Sequence, residues 1–215
     1  ASLKTLFIPE TVRVVPNNVF GKCKELVSVN VNENNSYYTS IDGILYNKEQ
    51  TELLKVPPKS PVTDLNLPDA VTAISKSALS QCTSLENVTI PPSVISIEKT
   101  VFTDCANLKK INVANENEHY VSVGGILYDK NKTVLMAVPK KLTAAKLELP
   151  DTVTTIAEKA ALDCTSLAEV IFPESLRVIE DYAFNECSSL KSADLNYGLM
   201  QIGSWAFYGC EKLNI

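Results

Sequence analysis

The sequence is short of the residue types from which most active sites are built. It has one histidine, His119, and one tryptophan among 215 residues. As a catalytic base, His119 would need a nucleophile and an orienting partner that the sequence does not mark, so a solvated loop histidine is the better interpretation. The P-loop, G-x-G-x-x-G, G-x-S-x-G and H-E-x-x-H motifs are missing as well. The sequence therefore indicates neither an enzyme nor a bound cofactor.

Clustered basic charge and long apolar runs are also scarce. The formal net charge is −5, and basic residues cluster only in short pairs such as Lys109-Lys110 and Lys140-Lys141. Nucleic-acid binding needs a clustered basic surface, so the composition argues against it. No stretch reaches the roughly 18 apolar residues that a membrane-spanning helix requires. We therefore expect no nucleic-acid partner and no membrane insertion.

What the sequence does contain is an internal repeat. An apolar residue is followed by another at +3, a small residue at +7, usually Phe at +8, Cys at +11 and Leu at +14. This frame starts at Val12, Val71, Val94, Val153, Leu176 and Leu199. Neighbouring frames lie 23 residues apart unless an extra segment separates them. A fixed period of this size predicts a solenoid, in which each coil buries its apolar side against its neighbours.

The pattern within one period predicts the elements of a coil. Residues 85–90 alternate apolar and polar side chains, as a short strand does. Pro91 and Pro92 end this strand, because proline cannot donate to a ladder. The apolar positions within residues 100–105 suit a short helix. We therefore predict short parallel strands on one side of the solenoid and short helices on the opposite side.

Two extra segments interrupt the simple period, and they match each other at an offset of 82 residues. In the first, residues 40–46 and 52–56 are strand-like and residues 47–50 are turn-like, which indicates a β-hairpin. The second segment repeats this pattern. The hairpin-containing inserts cover about residues 32–64 and 114–146. We expect them to widen the solenoid rather than interrupt it.

The register at both termini predicts that the chain is a fragment of a longer protein. Leu6 and Ile8 match Val88 and Ile90, so residue 1 falls within a repeat, and the last residues pass just beyond the leucine of their own frame. Solenoids normally close with atypical polar caps, and neither terminus resembles one. We expect residues 1–215 to form a single solenoid domain.

The six cysteines occupy one register, with one cysteine in each frame. Core packing, disulfide bonding and metal binding are the three roles to consider. A column of equivalent thiols cannot pair completely, and parallel side chains point in the wrong direction for a disulfide. There is also no C-x-x-C motif for a metal. Packing as small buried apolar side chains is therefore the favoured interpretation, with the other two as alternatives.

The candidate binding residues are side chains that the frame leaves outside the core. Position +6 is polar in most frames, so Tyr182 and Trp205 are predicted to be exposed on adjacent coils, with Tyr208 nearby. Exposed aromatic side chains are favoured at interfaces. Packing against a continuation of the chain explains them equally well, so both interpretations stay open.

Outward-facing strand positions are a second candidate surface. In the strand that follows the third frame these positions are Lys109, Lys110 and Asn112. Charges at such positions alternate in sign along the chain, so they mark no single class of ligand. An ordinary solvated surface is the competing explanation.

The frame also points to a known family of repeats. Residues 179–190 read I-E-D-Y-A-F-N-E-C-S-S-L and carry the frame most clearly, and residues 42–46 read D-G-I-L-Y. Both resemble the BspA-like leucine-rich repeat family, and the resemblance covers essentially the whole chain. It departs at Ala161, where Phe is usual, and at Asn196, which replaces the usual Pro. The resemblance implies a right-handed leucine-rich-repeat superhelix.

The same resemblance implies a function. Family members are usually exported by host-associated bacteria, and those with a role are mostly surface adhesins for host matrix proteins or other cells. This implies a non-catalytic, extracellular or cell-surface adhesion module that binds a host or neighbouring-cell protein. The alternative is a carbohydrate-binding or cell-wall scaffold solenoid, for which Tyr182 and Trp205 are the only hint.

Overall fold

Short runs of alternating apolar and polar residues form the strands of this protein, and turns connect them. The computed structural model describes residues 2–16 and 18–214. The chain divides between Asn107 and Leu108 into two units. Each unit contains coils of the frame and one of the two inserts, because the division falls between the two copies of the 82-residue pattern.

The strands of the first unit confirm the coil length. They are β1 (Thr5–Ile8), β2 (Ser28–Val31), β3 (Tyr38–Ile41), β4 (Ile44–Asn47), β5 (Glu52–Lys55), β6 (Asp64–Asn66), β7 (Ala73–Ile74), β8 (Asn87–Ile90) and β9 (Ser96–Ile97). β1 pairs with β2, β6 with β8 and β7 with β9, all in parallel. Asp64 lies opposite Asn87, 23 residues further along the chain. The sequence period is therefore the length of one coil.

The second unit repeats this arrangement. Its strands are β10 (Lys110–Val113), β11 (Tyr120–Val123), β12 (Ile126–Asp129), β13 (Val134–Ala137), β14 (Lys146–Glu148), β15 (Thr155–Ile156), β16 (Glu169–Ile171), β17 (Val178–Ile179), β18 (Ser192–Asp194) and β19 (Gln201–Ile202). β14, β16 and β18 form one parallel sheet, and β15, β17 and β19 belong to another. Both units are β-solenoids with parallel strands, as the repeat predicted.

Each insert forms a three-stranded antiparallel meander rather than a single hairpin. β3 pairs with β4 across a turn at Asp42-Gly43, and β4 pairs with β5. Both turn residues have positive φ, 50° and 77°, as a type I′ turn requires. This turn splits residues 40–46, which were predicted as one strand. β5 then pairs in parallel with β7, and the second insert does the same with β11, β12 and β13.

The short helices predicted opposite the strands are wrong: the described residues form turns there. The cause is positive φ at positions +6 and +10 of the frame, 63° at Thr100 and 61° at Asp104, and 58° at Tyr182 and 60° at Glu186. A right-handed helix needs negative φ at every residue, so left-handed residues four positions apart prevent it. The apolar spacing that suggested a helix reflects burial, because Val101 and Cys105 are core residues.

These left-handed residues turn alternate amides toward the neighbouring coil. The Tyr182 amide donates to the carbonyl of Ser204 at 2.9 Å. The Phe184 amide donates to the carbonyl of Ala206 at 2.8 Å. The next amide, that of Asn185, donates to the Tyr182 carbonyl within the same coil, and the Glu186 amide again donates to the next coil, to the carbonyl of Tyr208. Backbone groups that a helix would satisfy internally are therefore satisfied by the next coil.

Asn196, which departs from the usual proline, also links two coils. Its Nδ2 donates to the carbonyls of Pro173 and Leu176 at 2.6 and 3.4 Å. Its Oδ1 accepts the amide of Gly198 at 2.7 Å. The replacement of proline therefore adds hydrogen bonds between the coils at this point instead of disturbing the packing.

The frame residues form the core of each unit. Phe184 contacts Phe172 edge to face and Phe207 in a stacked arrangement, with ring centroids 5.7 and 5.4 Å away. Full burial of such a side chain stabilises the fold by about 1.5–3 kcal/mol. All six frame residues of one coil have no exposed surface: Leu176, Ile179, Ala183, Phe184, Cys187 and Leu190. Because neighbouring coils cover these side chains, no coil is stable alone.

Two tyrosines at equivalent places in the inserts are part of the core. Tyr46 in β4 and Tyr128 in β12 are 2% and 1% exposed. Burial raises the pKa of each hydroxyl to about 12, and the charge of Asp42 adds to the effect at Tyr46. Both side chains are therefore neutral throughout the physiological pH range.

The buried tyrosines predict a loss of stability at alkaline pH. Unfolded tyrosine has a pKa of about 10, so the folded state binds more protons between pH 10 and about 12. The stabilisation is complete below about pH 10 and is lost as pH rises toward 12, by about 3 kcal/mol for each tyrosine. Urea unfolding across this range should show a shallower decline for the Tyr46→Phe/Tyr128→Phe variant than for the wild type. An equal decline in the two proteins would contradict the assignment.

The left-handed backbone at Thr100 predicts an unusual response to glycine. A non-glycine residue in this conformation costs about 1–2 kcal/mol, which glycine avoids. At an ordinary φ, glycine instead destabilises by about 0.5–1 kcal/mol. Thr100→Gly should therefore leave the free energy of unfolding unchanged or raise it by about 1 kcal/mol, whereas the exposed control Ala106→Gly should lower it. Urea unfolding measures both, and equal destabilisation would refute the explanation.

Candidate functional site

Trp205 and Tyr208 form an aromatic pair on the surface of the second unit. Their ring centroids are 4.8 Å apart and the ring planes meet at 74°, which is an edge-to-face contact. Each residue is 55% exposed. Trp205 has a φ of 60°, and the Tyr208 amide donates to its carbonyl at 3.2 Å. One tight turn therefore holds two large rings at the surface with a defined backbone.

Tyr182 occupies the same frame position one coil earlier, but it is less exposed than its position predicted. Its side chain is half-buried, and the ammonium of Lys159 lies 5.4 Å from the ring centroid. This distance is typical of a cation–π contact. Lys159 is itself the +6 residue of the preceding coil. Of these three +6 residues, Lys159 and Tyr182 are half-buried and Trp205 is exposed.

The basic candidates lie on a different element. Lys110 and Asn112 belong to β10, Lys109 precedes it, and all three are exposed. β10 packs beside β11 and β12, whereas the aromatic pair follows β19. The structure therefore does not combine the two groups of candidates into one site.

Neighbouring outward positions of the sheet carry both signs of charge. Lys146 of β14 and Glu169 of β16 form an exposed ion pair at 2.9 Å. Such a pair contributes little to stability, since solvent screens it. This mixture of charges agrees with the absence of a marked ligand class at the strand positions.

The coil of Trp205 exposes two further large side chains that the repeat frame does not mark, Tyr197 and Met200. Tyr197 is completely exposed and Met200 is 83% exposed. They stand where the preceding coil has Glu174 and Arg177. The sequence therefore contains a sign of this apolar surface, because large apolar residues stand at positions that are charged one period earlier.

Lys55 is a buried cation in the first unit, and its surroundings suit a structural role. It is 5% exposed, and its ammonium donates to the carbonyls of Ser77 and Ser80 at 3.0 and 2.9 Å and to the Ser80 hydroxyl at 3.3 Å. Burial lowers the pKa of Lys55. Its three hydrogens are all used to hold the turn that begins at left-handed Ser77. The second unit has Ala137 at the matching position, so this contact belongs to one unit only.

The cysteines pack in the core, and their thiols bond carbonyls of the preceding coil. The Sγ of Cys187 lies 3.1 Å from the carbonyl oxygen of Ala161, and the Sγ of Cys210 lies 3.2 Å from that of Phe184, both 26 residues back. All six cysteines are free, and Cys23 and Cys210 are partly exposed. The packing interpretation is confirmed for the four buried members, Cys82, Cys105, Cys164 and Cys187.

Neither a cavity nor a group of possible metal ligands gives a better-defined candidate site. A shallow cavity of about 410 Å³ in the first unit is bordered by Lys24, Glu25, Lys59 and Asp104, so it selects no ligand charge. Among residues 2–16 and 18–214, no three His, Cys, Asp or Glu side chains meet in a metal-binding group. No helix in that part of the chain is long and apolar enough to cross a membrane. The Trp205–Tyr208 pair is the best-defined candidate site.

Comparisons with known proteins agree with the repeat and the fold. The profile of the BspA-type leucine-rich repeat region matches in six copies, over residues 1–60, 58–123 and 139–215. No curated protein shows significant similarity to the chain. A leucine-rich repeat protein from Eubacterium ventriosum is 24% identical with a TM-score of 0.62, and the match covers 97% of this chain and 59% of that one.

Two further solved structures share the fold. The pneumococcal vaccine antigen PcpA is 19% identical with a TM-score of 0.62, covering 98% of this chain and 61% of that one. A leucine-rich cell surface protein from Faecalibacterium prausnitzii is 21% identical with a TM-score of 0.53, covering 99% and 72%. The chain thus spans about three fifths of the first two proteins.

These similarities confirm the resemblance that the frame suggested. Sequence identities of this size to solved structures show only a shared fold. The family profile matches most of the chain and therefore also shows family membership. Leucine-rich solenoids of this kind are generally non-enzymatic scaffolds whose extended surfaces bind other proteins. The chain belongs to the BspA-type leucine-rich repeat family.

Proposed function

We propose that the chain is a non-catalytic adhesion module, located outside a bacterial cell or on its surface, that binds a protein of a host or of a neighbouring cell. The family supports an interaction module of bacterial surface type. One solved structure with the same fold is described as a cell surface protein, and another as a vaccine antigen. The observation that carries the proposal is the exposed Trp205–Tyr208 pair on a rigid coil.

The chemistry of this pair suits a protein partner. Trp and Tyr offer large apolar area with few rotatable bonds, and each ends in a polar group that can donate a hydrogen bond. The turn already fixes the backbone of both residues, so little conformational entropy remains to be lost on binding. Exposed Tyr197 and Met200 in the same coil add apolar area of the kind found at interface centres.

Lys109, Lys110 and Asn112 would serve as a separate, peripheral contact. They are exposed, and they lie on or beside β10, away from the turn after β19 that holds the aromatic pair. Exposed charges of this kind change the association rate and its salt dependence more than the affinity. We assign them to steering of an acidic partner surface.

A carbohydrate-binding or cell-wall scaffold function is the alternative. Sugar rings stack on the flat faces of aromatic side chains, and an extended glycan is best matched by rings that lie in one plane. The 74° angle between Trp205 and Tyr208 does not provide such a platform. The geometry therefore favours a protein ligand over a glycan.

Substitution of the aromatic pair tests the proposal. Wild type and the Trp205→Ala/Tyr208→Ala variant are assayed by surface plasmon resonance on immobilised matrix proteins and on cell-wall glycans. We expect the variant to lose at least about ten-fold in affinity for a bound protein, the size of a hot-spot loss. The matched control is Tyr37→Ala, which removes a 45% exposed tyrosine of the first unit and should change affinity less than two-fold.

The outcomes separate the candidate functions. Lys109→Ala/Lys110→Ala should slow association at low salt and leave dissociation unchanged. Undiminished protein binding by the Trp205→Ala/Tyr208→Ala variant would refute the aromatic site. Binding to glycans alone, released by the free sugar, would favour the alternative function. Measured turnover of any substrate would overturn the non-catalytic assignment.

A further inference from the structure

The cavity of about 410 Å³ in the first unit crosses several successive turns of the chain. Its border includes Lys24, Lys59, Gln81, Thr83 and Asp104, all of which belong to that unit. Pockets of about 300–1,000 Å³ are of a size that holds small ligands. Neither the aromatic pair nor the lysines of β10 border this cavity, so a ligand bound in it uses a separate surface.

Backbone hydrogen bonds give the order of the turns along the cavity. Three amides donate to carbonyls of neighbouring turns at 2.8, 3.1 and 2.9 Å: Lys59 to Leu26, Thr83 to Pro58 and Gln81 to Thr103. Lys24 therefore lies at one end, Lys59 in the next layer and Asp104 at the other end. β1 pairs with β2 and forms a further layer beyond the coil of Lys24. The cavity is thus flanked by coils of the first unit.

The two ends of the cavity carry opposite charge. At one end, two cations, Lys24 and Lys59, stand beside one anion, Glu25, and leave a net charge of +1. At the other end, Asp104 supplies a negative charge. Neighbouring layers lie about 4.8 Å apart, so the layers of Lys59 and Asp104, two steps apart, are separated by about 10 Å. A matching ligand is neutral overall and carries an anion and a cation at that separation.

We propose that this cavity binds a short free peptide, with its carboxylate at Lys24 and Lys59 and its amino group at Asp104. An extended chain spans about 3.3–3.6 Å per residue, so about three residues fit the separation of the charges. Thr83 lies between the two ends, and its hydroxyl donates to the Pro58 carbonyl at 3.3 Å. The hydroxyl oxygen can still accept a hydrogen bond from a peptide N–H. This site does not depend on the proposed adhesive function.

The second unit shows how the same place is closed. Lys140 and Asp163 stand 82 residues after Pro58 and Gln81. The Lys140 ammonium and the Asp163 carboxylate form an ion pair at 2.5 Å, which joins the two turns that border the cavity in the first unit. Proline and a neutral amide cannot form such a pair. The first unit is therefore open to a ligand where the second unit satisfies its own charges.

NMR titration of the full ¹⁵N-labelled chain tests the proposal, with Ala-Ala-Ala as the probe. We expect this peptide to shift the amide signals of residues 81–83 and 104 with a Kd of about 1 mM, as a few partly exposed contacts allow. N-acetyl-Ala-Ala-Ala and Ala-Ala-Ala-amide each lack one terminal charge. Each should bind about three- to five-fold more weakly, the effect of losing one exposed charge pair.

Variants of the charged residues assign each end of the peptide. Asp104→Asn should bind the free and the acetylated peptide equally, because the charge that recognises the amino group is gone. Asparagine tolerates the left-handed φ of 61° at this residue. Lys24→Gln/Lys59→Gln should bind the free and the amidated peptide equally. Lys141→Gln, the matched control at the position of Lys59 in the second unit, should bind all three peptides as the wild type does.

A closed variant uses the pair that the second unit already contains. Pro58→Lys/Gln81→Asp should form the ion pair in the first unit and abolish peptide binding while the other amide signals keep their positions. Unchanged binding by this variant would overturn the proposal. So would equal binding of the free and both blocked peptides by the wild type, shifts confined to residues outside the cavity, or no shift at about 10 mM peptide. The charge variants decide the matter even where the closed variant does not fold.

Discussion

In-register backbone hydrogen bonding between successive coils is the constraint on which the rest of this structure depends. Between coils that no insert separates, partners in the parallel strands lie 23 residues apart, as with Thr155 opposite Val178. The Tyr182 amide meets the next coil at a nearly equal offset, through the Ser204 carbonyl. A residue added within a coil would shift its strand and its turn out of register with the next coil and so disrupt both sets of hydrogen bonds. The length of a coil without an insert is therefore constant. The inserts are tolerated because each meander returns to the ladder, with Glu52 opposite Ala73 in the first unit.

At some positions this constraint determines the backbone conformation but not the type of side chain. Position +6 has φ near 60° in coils that carry Ser77, Thr100, Lys159, Tyr182 or Trp205. None of these is glycine, so each coil accepts the cost of a left-handed residue. The Lys159 and Tyr182 amides offset it by donating to the carbonyls of Asp181 and Ser204 in the next coil. None of these five side chains is fully buried, and they differ in size and charge on the same backbone. A family with such positions can vary its surface on an unchanged scaffold.

Hydrogen bonding also accounts for the polar groups inside the core. No buried side-chain nitrogen or oxygen of the described residues lacks a hydrogen-bond partner. Lys55 is tolerated at 5% exposure because carbonyls of a left-handed turn surround its ammonium. Cysteine suits its register because it is small, apolar enough for the core and still able to donate to a carbonyl.

The sequence by itself determined the period, the core positions, the strand at 87–90 and the family, because burial against neighbouring coils imposes an apolar pattern that a sequence records directly. It also singled out Trp205 and Tyr208, since aromatic residues at a polar register stand out.

Only the tertiary structure decided the left-handed turns in place of helices, the extra turn at Asp42-Gly43 and the half-buried state of Tyr182. Each of these depends on a backbone conformation or a contact one coil away. Residue type alone does not specify these conformations, because Ser, Thr, Lys, Tyr and Trp all adopt the same left-handed φ at this position.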